Sequence, residues 1–118
     1  GLSQGASMVL DVLLHLRGPL AERLRGAVSR RGMLQRESME GLPKGWVPPA
    51  LSGLSTLATH GVADELVPIG AARSSYRVLE GLGATLRFHA IEGLQHNGYS
   101  EEESEVTAGY LRQCFRGP

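Results

Sequence analysis

Apolar residues crowd the first stretch of the chain. Across Ala6–Arg17 (ASMVLDVLLHLR), Met8, Val9, Val12, Leu13 and Leu16 recur at helical spacing, and Leu10 and Leu14 widen the stripe. So wide a stripe predicts a helix buried on most of its faces, stopped by Gly18-Pro19. Arg25–Ser29 (RGAVS) reads as a short strand running into Arg30-Arg31-Gly32. Leu34–Ser52 is rich in Pro and Gly with mixed charge, the pattern of an irregular connection with room for one helical turn. Leu54–His60 (LSTLATH) is apolar and β-branched enough for a buried strand, and Gly61 ends it. From Ile69 the period lengthens: Ile69, Ala72, Tyr76, Leu79 and Leu82 fall on one helical stripe, with Gly83 where a C-terminal cap belongs. Thr85–Ile91 (TLRFHAI) alternates, with Leu86, Phe88 and Ala90 on one side and Thr85, Arg87 and His89 on the other. One polar face predicts a strand near the edge of the sheet. Ser100-Glu101-Glu102-Glu103 then has the spacing of a capping box, in which the Ser100 hydroxyl accepts the Glu103 amide and the Glu103 carboxylate reaches back. The helix it opens carries Val106, Tyr110, Leu111 and Cys114 as its apolar stripe, and its acidic first turn suits the helix dipole.

Strands alternating with helices imply an α/β fold, a mostly parallel sheet with helices on both faces. At 118 residues the chain is the size of one domain, 1–118, and 42% hydrophobic residues suffice for a packed core. Lys+Arg and Asp+Glu balance at 12 each, and aromatic residues make up 5%, so nothing marks a nucleic-acid partner or an anionic membrane surface. The longest apolar run, around Met8–Leu16, is broken by Asp11 and His15 and is too short for a transmembrane segment. The one cysteine, Cys114, lies on the final helix's apolar stripe and reads as packing rather than a nucleophile; lone-cysteine use suits a reducing, cytoplasmic setting.

The candidate chemistry begins at the first residue, with Gly1-Leu2-Ser3-Gln4-Gly5. In a chain with 16 Gly, a Gly-x-Ser-x-Gly match arises by chance about one time in six, so the pattern alone decides nothing. Its context adds weight. A buried helix follows at once, as in a nucleophile elbow, where a sharp turn flanked by small residues lifts a serine hydroxyl out of the sheet. The Gln4 amide, at the start of that helix, then serves as one oxyanion donor. A serine also needs a base, and the base an orienting group. Asp64 follows the strand Leu54–His60 and His96 follows the strand Thr85–Ile91, so both stand at the carboxyl ends of parallel strands. Their order, Ser then Asp then His, is that of the elbow-bearing hydrolases.

Rival roles attach to each. Asp64 could cap the helix that follows it, and Glu65 is the competing carboxylate. His15 sits on a helix and His89 in mid-strand, while His60 at a strand end reads as a structural hydrogen-bonding residue. A metal site from His60, Asp64, His89 and His96 lacks any short His or Cys pairing, so no metal is expected. Arg30 and Arg31 read as solvated loop charges whose stems cover apolar surface, or as binders of an anionic substrate group.

Taken together, GLSQGASMVLD, HGVADELVP and GLQHNGYSEEE resemble the phospholipase/carboxylesterase family of α/β-hydrolases, which includes the acyl-protein thioesterases. The likeness runs from Gly1 to about Phe115 and is thinnest over Arg30–Leu51. It implies the C-terminal half of an α/β-hydrolase, with Ser3 as nucleophile, Asp64 as acid, His96 as base, Gln4 in the oxyanion hole, and no cofactor. It also implies hydrolysis of small-molecule or lipid-acyl esters or thioesters. In the family, the strand after the first helix ends in small or polar residues, whereas here it ends in Ser29-Arg30-Arg31-Gly32-Met33-Leu34. The strands before the elbow and the loop giving a second oxyanion donor would lie upstream of Gly1, so 118 residues alone are expected to be a weak catalyst. The competing expectation is a truncated, non-catalytic fragment or interaction module that self-associates through an exposed sheet edge.

Overall fold

The computed structural model describes residues 1–116. Its elements run α1 (Gln4–His15), α2 (Pro19–Arg23), β1 (Ala27–Arg30), α3 (Arg36–Glu40), β2 (Ser55–Gly61), α4 (Ile69–Gly81), β3 (Thr85–Ile91) and α5 (Glu101–Arg116). The strands form one parallel sheet in the order β1-β2-β3, with Ala27 opposite Thr56 and Ser55 opposite Thr85. β2 is central and buried beyond its first residue, and β3 is an edge strand, as its alternation predicts.

Alternation along the strands gives the sheet two distinct faces. Ser29, Ala58 and Phe88 align in one row, and α1, α3 and α4 pack over that side. Their core is built from Leu10, Leu13 and Leu14 of α1, Tyr76 and Leu79 of α4, and Leu34, Leu51 and Leu54 from the connections. The Tyr76 ring lies 5.5 Å from that of Phe88, and its hydroxyl sits 2.6 Å from Ser29 Oγ. Burial pushes the Tyr76 phenol up to about 12, against the smaller opposing effect of the Ser29 hydrogen bond. On the opposite face α5 packs against β2. Tyr110 closes the amino-terminal end of the sheet there, donating its hydroxyl to the Ser55 carbonyl at 2.6 Å and accepting the Ala27 amide at 3.2 Å.

Several boundaries and faces differ from the sequence expectation. α1 begins and ends two residues earlier, at Gln4 and His15, and it buries one face rather than most. Met8 is 65% exposed and Val12 51% exposed. Gly18-Pro19 does stop it, but Pro19, with φ fixed for a helix and no amide to satisfy, opens the short α2. The first strand is Ala27–Arg30, shifted past Arg25 and Gly26. An added Cβ at Gly26 would lie 2.5 Å from the Tyr110 hydroxyl oxygen, so a larger residue there would have to displace that cap. On α5 the inward face carries Glu103, Val106, Tyr110 and Cys114, and Leu111, 41% exposed, lines a cavity beside Tyr110 and Cys114 that α1 borders with Met8 and Val12. Gly83 caps α4 as expected: its φ is 113°, its amide bonds Glu80 O, and the Ala84 amide reaches back to Leu79 O. Among the described residues no helix is long and apolar enough to cross a membrane.

Candidate active site

Three segments meet at the carboxyl end of the sheet: the turn before α1, the loop after β2 and the loop after β3. The turn is held from β1, where the Ser3 amide donates to Arg30 O at 2.7 Å and the Arg30 amide to Gly1 O at 2.9 Å. Ser3 sits at φ 55° and ψ −117°, a backbone conformation that L-residues rarely adopt. Gly32 lets β1's exit pass close beneath, since a Cβ there would stand 2.5 Å from Ala6 Cβ and 3.0 Å from Ser3 O. Serine is a favoured helix N-cap, yet the Ser3 hydroxyl makes no cap hydrogen bond to α1. Its Oγ lies 2.7 Å from His96 Nε2 instead. Gln4, the first residue of α1, has a backbone amide without an acceptor inside the helix, as helix geometry requires of that position.

His96 Nδ1 is 2.7 Å from Asp64 Oδ2. Asp64 is 5% exposed, and its two oxygens divide the work. Oδ1 accepts the Leu66 amide at 2.9 Å and the Val67 amide at 2.8 Å, which leaves Oδ2 free for the imidazole. Burial works to raise the Asp64 pKa, but the Val67 amide, the His96 hydrogen bond and the charges of His96 and His60 outweigh it and hold the carboxyl below its ordinary value. With a carboxylate on one side and a hydroxyl on the other, the imidazole has the tautomer and direction needed to take up the hydroxyl proton.

The rival side chains fall elsewhere. Glu65 is exposed. His15 Nε2 faces Ser38 O at 3.0 Å on the far side of α1, and His89 Nε2 stands 3.6 Å from Glu102 on β3's outer face. His60 is buried with Nε2 2.7 Å from Val67 O and 3.5 Å from Asp64 Oδ2, so it braces the Asp64 loop, the structural use its position suggests. Its Nδ1 is buried with no partner. The role weighed for Asp64 as a helix cap is partly visible: it organises the turn before α4, although Pro68 is the residue at the N-cap.

Arg30, Arg31 and Glu103 depart from the sequence reading. Arg31 is 6% exposed, not solvated, and is paired with Glu103, which is 0% exposed. Arg31 Nε and Nη2 reach Glu103 Oε2 and Oε1 at 3.1 and 2.8 Å; Arg30 Nη2 and Thr59 Oγ1 add bonds of 2.9 and 3.0 Å to the same carboxylate. Thus half of the expected capping box forms, the Glu103 amide to Ser100 Oγ at 3.0 Å, while the Glu103 carboxylate turns inward rather than back. Burial would raise the Glu103 pKa, but hydrogen bonds from Arg31, Arg30 and Thr59 with the Arg31 charge lower it below the ordinary value. The only sequence signal for this cluster was two adjacent arginines at a strand end that elsewhere favours small or polar residues.

A parallel sheet with helices on both faces, bearing a serine turn, an acidic loop and a histidine loop at one end, is the arrangement of part of an α/β-hydrolase. The chain belongs to the phospholipase/carboxylesterase family, whose family model matches residues 1–113. Among solved structures it is similar to the esterase PE8, with 27% identity and a TM-score of 0.74 over 95% of this chain and 47% of that one. SOBER1 from Arabidopsis thaliana matches at 24% identity and a TM-score of 0.73, covering 98% of this chain and 51% of that one. Acyl-protein thioesterase 2 from Zea mays matches at 22% identity and a TM-score of 0.70, covering 97% and 54%. The latter two speak to fold alone. The chain spans about half the length of these structures. No curated protein sequence matches it.

Proposed function

We propose that this chain carries the Ser-Asp-His machinery of a serine hydrolase that cleaves carboxylic esters or thioesters through an acyl-enzyme. The observation that carries the reading is the unbroken relay from Ser3 Oγ to His96 to Asp64, with both contacts at 2.7 Å. Membership of the phospholipase/carboxylesterase family and the likeness to an esterase support the substrate class.

In this mechanism the Ser3 Oγ attacks the acyl carbon while its proton passes to His96 Nε2. The Asp64 carboxylate keeps Nδ1 protonated and stabilises the imidazolium that forms. The Gln4 amide donates to the developing oxyanion. His96 then returns the proton to the leaving alcohol or thiol. Water, deprotonated by the same imidazole, attacks the acyl-Ser3 ester and releases the acid. No step calls for a cofactor, and the substrate is a small-molecule or lipid-acyl ester.

Exposure of the full-length protein to a fluorophosphonate probe tests the reading. Covalent labelling is expected in the wild type and none in Ser3→Ala. An unlabelled wild-type protein of intact fold overturns it. A series of p-nitrophenyl esters of increasing chain length, run beside acyl thioesters and peptides, then defines the acyl and leaving-group preference. Cleavage of peptides alone would refute the ester assignment.

A further inference from the structure

We propose that Arg31 is a positioning residue that sets the His96 imidazole against Ser3, through a buried clamp anchored on Glu103. The inference rests on the hydrolase reading for its kinetic consequence, but the clamp itself is a matter of geometry. Arg31 Nη1 donates to the carbonyl of His96 at 2.9 Å and to that of Gly98 at 2.7 Å. The rest of the guanidinium is held by Glu103, so four of its five N–H groups are committed in a fixed plane. Glu103 is itself fixed by Arg30, Thr59 and the Ser100–Glu103 cap, at the start of a 16-residue helix.

The location of Arg31 explains why such a clamp would act on the chemistry. The peptide carbonyl of Arg30, the preceding residue, accepts the Ser3 amide, and the Arg31 amide bonds Thr59 O at 2.8 Å on the central strand. Two consecutive residues therefore hold the serine turn by backbone and the histidine loop by side chain. Arg31 itself has φ 58°, in the left-handed region that non-glycine residues seldom occupy. That conformation turns its side chain from β1 toward the loop after β3. The His96 loop lies beyond the end of β3, outside the strand ladder that ends at Gly61 opposite Ile91. Its internal support includes the Gly98 amide on Gln95 O at 3.0 Å and the Ala63 amide on Leu94 O at 3.2 Å. The His96 ring must meet Ser3 and Asp64 at once, and rotation of its own peptide would swing the ring off one of them. The Arg31 bond to the His96 carbonyl opposes that rotation directly. A lysine could oppose the Glu103 charge, but its single ammonium cannot hold a carboxylate in a fork and two carbonyls together.

Two variants of the full-length protein test the proposal. Arg31→Lys keeps the charge opposite Glu103. Arg31→Met with Glu103→Gln removes the clamp without stranding a buried charge, since the introduced carboxamide oxygen can accept from Arg30 and its NH₂ can donate to Thr59 Oγ. The readouts are kcat and KM on a short-chain ester, hydrogen exchange of the 95–98 amides, and the melting temperature. In both variants kcat is expected to fall about ten- to a hundredfold with KM unchanged, the cost of a misplaced reacting group. The Gly98 amide, bonded to Gln95 O, should exchange about tenfold faster or more, while the core amides of β2 keep their protection. A folded variant with wild-type kcat and wild-type exchange in the loop overturns the clamp, as does a lower melting temperature with kcat preserved. If the wild-type protein fails to label with fluorophosphonate, the hydrolase reading falls, and loop exchange in the two variants still decides the clamp.

Discussion

Asp64→Asn separates the chemistry of the site from its architecture. In the wild-type protein Oδ1 accepts two backbone amides, from Leu66 and Val67, and Oδ2 faces His96 Nδ1. An asparagine has one oxygen, and only that oxygen can take the two amides. Its NH₂ group must then face Nδ1. A donor opposite Nδ1 makes that nitrogen the acceptor and moves the imidazole proton to Nε2, where it points at Ser3 Oγ. The serine then has no base, although every heavy atom stays in place. The same tautomer reversal in a serine protease costs about 10⁴ in kcat, and a loss of that order corresponds to about 5 kcal/mol of transition-state stabilisation. Stability changes far less, by about 1–2 kcal/mol, because charge-assisted bonds become neutral ones without leaving a backbone amide orphaned. The assay is kcat/KM on an activated ester together with the rate of fluorophosphonate labelling, and urea unfolding confirms the fold. An Asp64→Asn protein within tenfold of wild-type kcat would refute both the relay and the tautomer argument. Asp64→Ala provides the contrast, losing activity and also leaving the Leu66 and Val67 amides without their acceptor.

Two further outcomes follow from the same contacts. Asp64 and Glu103 are both held below their ordinary pKa values of 3.8 and 4.5, so the unfolded chain binds more protons than the folded one across that range. Their contribution to stability is complete above the ordinary values and is lost as the pH falls through the depressed folded ones. The urea midpoint should therefore be insensitive to these groups above about pH 5 and decline below about pH 4.5, and a midpoint that rose on acidification would contradict the assignment. Gly61→Ala would drive a Cβ into the Leu94 carbonyl, at the point where the Asp64 and His96 loops touch. It should cost about 1–3 kcal/mol and slow labelling of Ser3, as measured by thermal unfolding and probe kinetics; a fully stable, fully reactive Gly61→Ala protein would contradict that close approach.

Local pattern revealed the sheet and the residues brought together at its end, because both depend on short-range signals. The alternation of Thr85–Ile91 and the apolar run before Gly61 mark strands directly, and a functional loop follows each of them. Asp64 and His96 stand in those loops and Ser3 in the turn before α1, and the structure puts His96 within hydrogen-bonding distance of both. What periodicity could not convey was long-range pairing of charge. Glu103 satisfies the local spacing of a capping box and is spent on Arg31, 72 residues away. Arg31 in isolation looks like any loop arginine, since its burial is decided by a carboxylate and two carbonyls from other segments. Glu103 sits on the inward face of α5, and hydrophobicity alone could not register a buried charge as part of that face.

The backbone of Ser3 places stability and reactivity in opposition at a single residue. A side chain at φ 55° and ψ −117° carries strain of about 1–3 kcal/mol, which glycine would not feel. Ser3→Gly should thus yield a protein that unfolds later than the wild type and cannot form an acyl-enzyme. On the hydrolase reading proposed above, the same hydroxyl that would carry the acyl group sits on the residue whose backbone the fold would more readily give to glycine.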